Sequence, residues 1–441
     1  MKNQSSLAIG LMTFAMFLGA GNIIFPPFLG LEAGTQYLPA MAGFLITAVG
    51  LPALTLIVFG RLSDSAQLTQ ALPKPIATGF WVLLFTAVGP AFAMPRAVTV
   101  AYEMGIKPFV SGDHLALFSF IFVGLTLVLA LQRGKLVDYI GKFMTPMLVL
   151  MLAALALAAL VMPLGELSTP TMDYQQQALT SGLIQGYMTM DAIAAVGFGW
   201  VIIKAITDKG HVTSKSIFKV TLKVSLVYAL LMSGCYLAMA YVGATSASIA
   251  EGVNNGGELL TRYAAEVFGT FGLILLAGII IMACLTTTVG LTNACAEYYQ
   301  QTFNSPFSLT AVIVVVLTGV IANFGLNQIL TVSLPAILIL CPVAIALVLT
   351  ALVIPTDRAN WFAYVAVVAI SLLLGSIDAL SILEMLPESM ASLLNQYLPL
   401  FNAHASWFMP VAAVIAASKW ILSRKNDEPA TELDLVVKTN S

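Results

Sequence analysis

The sequence predicts an all-α polytopic membrane protein with about twelve transmembrane helices. Hydrophobic residues make up 59% of the 441-residue chain and charged residues only 9%, whereas a soluble domain carries roughly 25% charged residues. Apolar runs of about 18 or more residues, long enough to cross a hydrocarbon layer, recur from end to end. Backbone groups in lipid must bond within their own segment, and the runs lack the alternating pattern of a membrane barrel, so the spans are predicted to be helices.

Hydropathy places the twelve predicted spans along the whole chain, with boundaries uncertain by about three residues. They lie near residues 7–31, 38–60, 76–103, 114–132, 140–162, 178–204, 217–242, 267–299, 307–325, 328–353, 360–377 and 407–423. A polar tail, 425–441, follows the last span.

The basic residues predict the orientation of these spans. Sixteen of the 19 lie in one set of loops: Lys2, Arg61, Lys74, Arg133, Lys135, Lys142, Lys204, Lys209, Lys215, Lys219, Lys223, Arg358, Lys419, Arg424, Lys425 and Lys438. The opposite loops hold only Lys107 and Arg262, and Arg96 lies inside a span. Because Lys and Arg concentrate in cytoplasmic loops, both termini are predicted to be cytoplasmic, which requires an even number of spans.

The composition also narrows the choice of partners. The formal charge of −2 comes without a basic patch, so no nucleic acid partner is expected. The four cysteines lie in apolar runs without CxxC spacing, which favours reduced packing residues over disulfides. The three histidines lie in separate loops and predict no metal site. The lipid bilayer is an expected partner, and no obligatory protein partner is evident.

A break is predicted in the first span, at Gly19, Ala20, Gly21 and Asn22. Glycine costs about 1 kcal/mol against alanine in a helix, and an amide side chain in hydrocarbon needs a partner. An opened helix would offer carbonyls to Na⁺ or an ammonium group and N–H groups to a carboxylate. These four residues are therefore candidate substrate ligands, and Gly19 is also a candidate cation ligand. Alternatively, the glycines only allow close helix packing.

A second break is predicted in the sixth span, where the candidate substrate residues are Thr189, Met190, Asp191 and Ile193. A carboxylate near the centre of a span costs about 2.5–3.5 kcal/mol, so Asp191 is a functional candidate. It is otherwise a structural partner for Arg96, or lies nearer the interface. Five spans precede this break and invert it relative to the first.

The two breaks predict two inverted halves of five spans each, with two appended spans. The predicted division of the chain is 1–162, 163–353, 354–424 and the cytoplasmic tail 425–441.

Thr286, Thr287 and Thr288 in the eighth span are candidate cation ligands. Hydroxyl oxygens can complete a site for a hard cation when backbone carbonyls supply the other ligands. A membrane threonine also bonds harmlessly to the carbonyl one turn back. Three in succession beside a glycine favour ion binding.

The third span carries Arg96 after two prolines, and a guanidinium in a span must pair or reach water. Glu103, Asp191 and a substrate carboxylate are its candidate partners. In the same span, Phe92 is a candidate substrate residue. An apolar pocket suited to a branched aliphatic side chain would be lined by Phe14, Phe92, Ile193 and Phe198.

Five long motifs carry a family resemblance. FLGAGNIIFPPFLGLEAG, GFLITAVGLP, GPAFAMPRAVTVAYEMG, GYMTMDAIAAVGFG and IMACLTTTVGLTNACAEYY resemble the branched-chain amino acid transport system II carriers, the BrnQ family. The similarity runs along essentially all twelve spans. It implies a carrier similar to the amino acid–polyamine–organocation superfamily, with a LeuT-like five-plus-five inverted repeat, in a bacterial cytoplasmic membrane.

The resemblance also implies symport of leucine, isoleucine and valine with Na⁺, or with H⁺ in some members. The substrate α-carboxylate and ammonium would then lie at the breaks of spans 1 and 6. The cation would lie between span 1 and the threonines of span 8.

Other classes of membrane protein fit less well. A channel would need pore-lining rings or a selectivity-filter loop. An enzyme would need convergent catalytic groups, yet no histidine lies in the interior of a predicted span. A sensor that binds an amino acid without moving it would carry the same residues, and only a counterflow measurement separates it from a carrier.

Overall fold

The computed structural model describes residues 2–132 and 137–427, and across these ranges the chain is helical without a strand. The α-helices in chain order are α1 (Lys2–Phe17), α2 (Ala20–Ala33), α3 (Tyr37–Leu45), α4 (Leu51–Leu62), α5 (Lys74–Thr86), α6 (Ala93–Gly105), α7 (Leu115–Ala130), α8 (Thr145–Val161), α9 (Met172–Met188), α10 (Asp191–Asp208), α11 (Ser214–Ala244), α12 (Gly256–Phe303), α13 (Phe307–Ala322), α14 (Leu326–Val353), α15 (Trp361–Ile382), α16 (Glu388–Tyr397) and α17 (Phe408–Asp427).

Each predicted span coincides with one helix or with two helices in series. Spans 1, 2, 3 and 6 are pairs, formed by α1 with α2, α3 with α4, α5 with α6, and α9 with α10. A π-helical turn, Val137–Met144, precedes α8 in span 5. The short helix α16 lies between spans 11 and 12 and was not predicted. The all-helical prediction is therefore confirmed.

Fewer helices of the structure pass a test of length and apolar composition than the twelve spans that hydropathy predicts. Among the described residues, seven helices could cross a membrane on these criteria, or eight if the pair α9 and α10, bent by 41°, counts as one span. One of the seven, Ala20–Leu62, runs through parts of two predicted spans, and Ser6–Phe17, Leu115–Ala130 and Phe307–Ala322 are shorter apolar helices. Short helices fail a length test because about 20 residues are needed to cross roughly 30 Å.

Some residues used in the predictions lie outside the described ranges. Arg133 and Lys135, which support the orientation, fall in the gap, and Lys438 falls beyond residue 427. The predicted tail, 425–441, begins inside α17, and only its first residues are described. The division into two five-span halves with two appended spans stays a prediction.

The two predicted breaks are present, and each has a local cause. α1 ends at Phe17, and Gly19 has an extended backbone before α2 begins. Met190 has a left-handed backbone, with φ of 68°, between α9 and α10. This conformation costs a non-glycine residue about 1–2 kcal/mol. Its positive φ interrupts the right-handed helix, so α9 ends before α10 begins. Asp191 then opens α10, where a carboxylate suits the positive end of the helix dipole.

The broken helices lie inside the bundle. α1 packs against α10, α11 and α12, and α10 also packs against α4 and α14. The appended helices α15 and α17 pack against each other and against α14, so they stand at the edge of this core. The breaks are consequently enclosed by protein, the setting in which irregular backbone is tolerated at membrane depth.

Candidate functional site

Residues from both breaks line one small cavity. The other walls come from α6 and α12, and the full lining is Phe17, Gly19, Ala20, Asn22, Ala93, Arg96, Ala97, Thr189, Met190, Asp191, Ala194, Phe198, Thr287 and Leu291. The volume open to the centre of a water molecule is about 30 Å³, enough for a water molecule or two. The cavity in this conformation is thus closed around less space than an amino acid needs.

The side chain of Asn22 joins the two breaks. Its amide nitrogen donates to Asp191 Oδ2 over 2.6 Å and also donates to the hydroxyl of Tyr236 in α11. Tyr236 donates in turn to the same Oδ2 over 2.8 Å, and the backbone N–H of Gly19 donates to Asn22 Oδ1 over 3.4 Å. All three polar side chains are buried. The partner that an amide in a span requires is therefore the carboxylate of the other broken helix.

Arg96 reaches the same place from α6. Its Nη1 donates to the carbonyl oxygen of Met188 over 3.2 Å and its Nη2 to that of Thr189 over 3.0 Å. These carbonyls form the C-terminal end of α9, where the helix dipole favours a cation. Of the predicted partners, neither Glu103 nor Asp191 forms an ion pair with Arg96 in the described structure. The sequence did not predict the backbone carbonyls.

Thr189 fixes the geometry of the sixth-span break. Its hydroxyl donates to the carbonyl of Gly186 over 2.8 Å and accepts the backbone N–H of Asp191 over 3.2 Å. With Met190 left-handed between them, this pair of bonds turns the start of α10 toward the cavity. Both Thr189 and Met190 line the cavity.

The three threonines of α12 do not face one site. Thr286 donates to the carbonyl of Ala15 in α1 over 2.6 Å and is also within 2.9 Å of the Ala283 carbonyl. Thr287 bonds to Ala283 over 3.1 Å and lines the cavity. Thr288 instead lies 3.2 Å from the hydroxyl of Thr126 in α7. Successive helical residues point about 100° apart, so three in a row cannot share one face.

Thr287 also lies against the first-span break. A Cβ added to Gly19 would meet Thr287 Oγ1 at 3.1 Å. The Ala15 carbonyl of α1 accepts from Thr286, and the Ala283 carbonyl of α12 accepts from both Thr286 and Thr287, so these four oxygens lie close together where the two helices meet. This set has the hard oxygen chemistry that suits Na⁺.

Three other candidate residues do not line the cavity. Gly21 packs against the sixth-span break, because a Cβ there would meet Arg96 Nη2 at 2.9 Å and the Thr189 carbonyl at 3.2 Å. Ile193 is buried on another face of α10, and Phe92 is half-buried at the start of α6. Neither side chain is among those lining the cavity.

The predicted aromatic pocket is divided. Phe198 lines the cavity, together with Phe17, whose ring is 4.9 Å from it in an edge-to-face contact. Phe14 instead lines a separate apolar groove formed with α8 and α11. Of the residues that sequence reasoning missed, Tyr236 is the most informative. A tyrosine inside the seventh span was the available signal, since a buried tyrosine hydroxyl usually has a partner.

The predicted cytoplasmic side of the cavity is closed by aromatic packing. Trp81, Phe85, Trp200 and Tyr298 join α5, α10 and α12, with Phe85 and Tyr298 stacked at 4.8 Å between ring centroids. Beyond them, Lys204 Nζ lies 3.1 Å from Glu297 Oε1 and joins α10 to α12.

A helical membrane bundle in which two broken helices meet around a buried polar cavity is the architecture of a membrane transporter. The fold is similar to that of Mhp1, a nucleobase-cation-symport-1 family transporter solved in a closed conformation with bromovinylhydantoin bound, with a TM-score of 0.58, 14% identity, and coverage of 94% of this chain and 93% of that one. The fold is LeuT-like, as predicted. The chain belongs to the branched-chain amino acid transport protein family, whose model matches residues 2–425.

Relatives of known name are similar over nearly their whole length. The branched-chain amino acid permease BrnQ of Haemophilus influenzae is 38% identical, with 94% of this chain and 96% of the permease aligned. The branched-chain amino acid transport system 2 carrier protein of Pseudomonas aeruginosa is 37% identical, with 94% of this chain and 95% of the carrier aligned. The family resemblance read from the motifs is confirmed, and the chain is a transport protein and not an enzyme.

Proposed function

We propose that this protein imports leucine, isoleucine and valine together with Na⁺, by alternating access, across a bacterial cytoplasmic membrane. The observation that carries the proposal is the central cavity, where the breaks of spans 1 and 6 present polar groups beside apolar walls. A zwitterionic head group suits the breaks, and a branched aliphatic side chain suits the walls. The similarity to a branched-chain amino acid permease and a branched-chain amino acid carrier supports this substrate class.

One site would serve all three amino acids. The apolar part of the wall comes from Phe17, Ala93, Ala194, Phe198 and Leu291. A methylene group changes binding by only about 1–3 kcal/mol in such a pocket, so leucine, isoleucine and valine should compete.

The small volume of the cavity supports alternating access. A pocket with about 30 Å³ open to a water centre must expand before an amino acid enters. The aromatic layer formed by Trp81, Phe85, Trp200 and Tyr298 would then part from the cavity on the cytoplasmic side. By the distribution of basic residues, both termini lie on that side.

Na⁺ would bind between α1 and α12. The carbonyls of Ala15 and Ala283 and the hydroxyl oxygens of Thr286 and Thr287 would hold it, with Gly19 at the edge of the site. A cation that needs oxygens from both helices favours their approach, which is a direct means of coupling ion binding to closure of the substrate site. Thr288 is not proposed as a ligand, because it faces α7.

H⁺ coupling is the second candidate, and Asp191 is the observation that favours it. A buried carboxylate that lines the substrate cavity could exchange a proton during transport, whereas a threonine hydroxyl could not. If a pH gradient drives uptake and Na⁺ has no effect, Asp191 becomes the coupling group.

Uptake by proteoliposomes tests the proposal. Radiolabelled leucine should accumulate when an inward Na⁺ gradient is applied, and unlabelled isoleucine and valine should suppress the signal. Leucine counterflow without a gradient would distinguish a carrier from a sensor. Transport of a charged amino acid with no transport of leucine would contradict the proposal.

A further inference from the structure

Two buried charges of opposite sign face the central cavity without touching. The exposed fraction is 5% for Arg96 and 3% for Asp191, and both side chains line the cavity. Within the described chain, neither residue has an oppositely charged side chain within 4.0 Å. Buried charges are normally paired directly, because isolation from water is costly. Because the two groups do not pair with each other, each can bind the oppositely charged group of one ligand once the cavity expands.

The guanidinium of Arg96 retains unused donors. It has five N–H groups, and the bonds of Nη1 and Nη2 to the carbonyls of Met188 and Thr189 account for two. Its Nε is buried and has no hydrogen-bond partner. A buried donor of a charged group that lacks an acceptor costs more free energy than a neutral donor in the same position. A carboxylate can accept from Nε and an adjacent Nη at once, in the bidentate geometry that arginine favours.

The same guanidinium lies against the first turn of α2. A Cβ on Gly21 would meet Arg96 Nη2 at 2.9 Å. The first N–H groups of a helix lack intrahelical acceptors, and the dipole there is positive. An anion beside Gly21 would therefore meet both the guanidinium and the helix terminus.

Asp191 offers the complementary half of the site. Asn22 and Tyr236 both donate to Oδ2, so the other carboxylate oxygen, Oδ1, still has lone pairs for an ammonium group. These two bonds also fix the orientation of the carboxylate, because Asn22 belongs to α2 and Tyr236 to α11.

We infer that Arg96 binds the α-carboxylate of the substrate while Asp191 binds its α-ammonium group. The inference rests on the proposed function and deepens it: the central site selects free α-amino acids, because only a zwitterion completes both charges. The backbone N–H groups of α2 alone would also accept an amide or an ester. A guanidinium with an unpaired donor discriminates against both.

Binding measurements with analogues of leucine test this inference on the full chain in nanodiscs at saturating Na⁺. Leucinamide keeps the ammonium group and lacks the negative charge, and 4-methylpentanoate keeps the carboxylate and lacks the ammonium group. Wild-type protein should bind leucine about tenfold or more tightly than either analogue, the size of one lost charge-assisted interaction.

The variants separate binding from structural support. Arg96→Gln should weaken leucine binding and leave leucinamide binding within about twofold, so the preference for leucine disappears. Asp191→Asn should weaken leucine binding and leave 4-methylpentanoate binding within about twofold, so that the preference for leucine over 4-methylpentanoate disappears. Arg61→Gln is the matched control, because Arg61 also bonds to a carbonyl, that of Leu352, away from the cavity; it should keep both preferences.

Each other result overturns the inference. If wild-type protein binds leucine and leucinamide with equal affinity, Arg96 does not bind the substrate carboxylate. The same holds if Arg96→Gln lowers the affinity for both ligands equally, and Arg96 then only stabilises the break in span 6. Should Arg96→Gln fail to fold, Arg96→Lys and the wild-type analogue series still decide. Folded wild-type protein that binds no leucine at all would instead contradict the proposed function.

Discussion

The hydroxyl of Thr286 in α12 donates to the carbonyl oxygen of Ala15 in α1 over 2.6 Å. This bond links the first half of the broken span 1 to the helix that carries the proposed cation ligands. The carbonyl that accepts the hydroxyl proton is also a proposed ligand of Na⁺. Entry of the ion would therefore rotate the hydroxyl, so that its oxygen and the carbonyl both face the cation.

Threonine substitutions should separate the ion ligands from their neighbour. Replacing Thr286 and Thr287 together by alanine should raise the Na⁺ concentration for half-maximal leucine uptake by about tenfold or more, because two oxygen ligands are lost. The measurement is leucine uptake over a series of Na⁺ concentrations.

Thr288→Ala is the matched control, since Thr288 faces Thr126 of α7. It should leave the Na⁺ dependence unchanged. An equal effect of both variants would remove the hydroxyl pair from the ion site.

Gly21 should tolerate no side chain. A valine there would push Arg96 Nη2 and the Thr189 carbonyl, which a Cβ would meet at 2.9 and 3.2 Å. Gly21→Val should abolish leucine binding while the protein stays inserted, and Gly21→Ala should weaken binding. Leucine affinity and thermal stability in detergent are measured together.

The control for this pair is Gly124→Ala in α7, where an added Cβ meets nothing within 4 Å. It should change neither quantity. Normal leucine affinity in a stable Gly21→Val protein would show that the first-span break is not where the substrate binds.

The bonds on Asp191 should govern substrate affinity. Tyr236→Phe removes the 2.8 Å bond to Oδ2 and leaves the carboxylate with fewer donors. Loss of a hydrogen bond to a charged group costs about 1.5–3 kcal/mol, so leucine affinity should fall by about tenfold or more. Leucine binding to the purified protein measures the change.

Tyr228 provides the comparison, because its hydroxyl donates to the Ala48 carbonyl over 3.1 Å from the same helix, α11. Tyr228→Phe should lower thermal stability without changing leucine affinity. If the two variants behave alike, the hydroxyl of Tyr236 serves only packing.

The ion pair between Lys204 and Glu297 should hold the predicted cytoplasmic side closed. An ion pair with an exposed partner contributes about 0.2–1 kcal/mol, so Lys204→Gln should change the rate of leucine counterflow by no more than about fivefold, in the direction of easier opening. The charge swap Lys204→Glu with Glu297→Lys should restore the wild-type rate. Lys209→Gln, at an exposed lysine after α10, should have no effect. A swap that fails to restore the rate would contradict the role of the pair.

The sequence determined which segments are helices and where two of them break. Apolar runs must be helical in lipid because the backbone has no other partner there. An asparagine beside two glycines in span 1, and an isolated aspartate in span 6, are costly in an unbroken helix that faces lipid. For this reason the breaks at Gly19 and Met190 could be predicted before any contact was known.

Only the tertiary structure decided which side chains meet. Nearly every face of these helices is apolar, so hydropathy does not show how a helix is rotated about its axis. The orientation of α12 about its axis directs Thr286 toward α1 and Thr288 toward α7. The orientation of α10 directs Ile193 away from the cavity. Packing also gave Arg96 backbone carbonyls as partners and brought Tyr236 to Asp191. These contacts join residues distant in sequence, and their positions depend on how the helices pack around the two breaks.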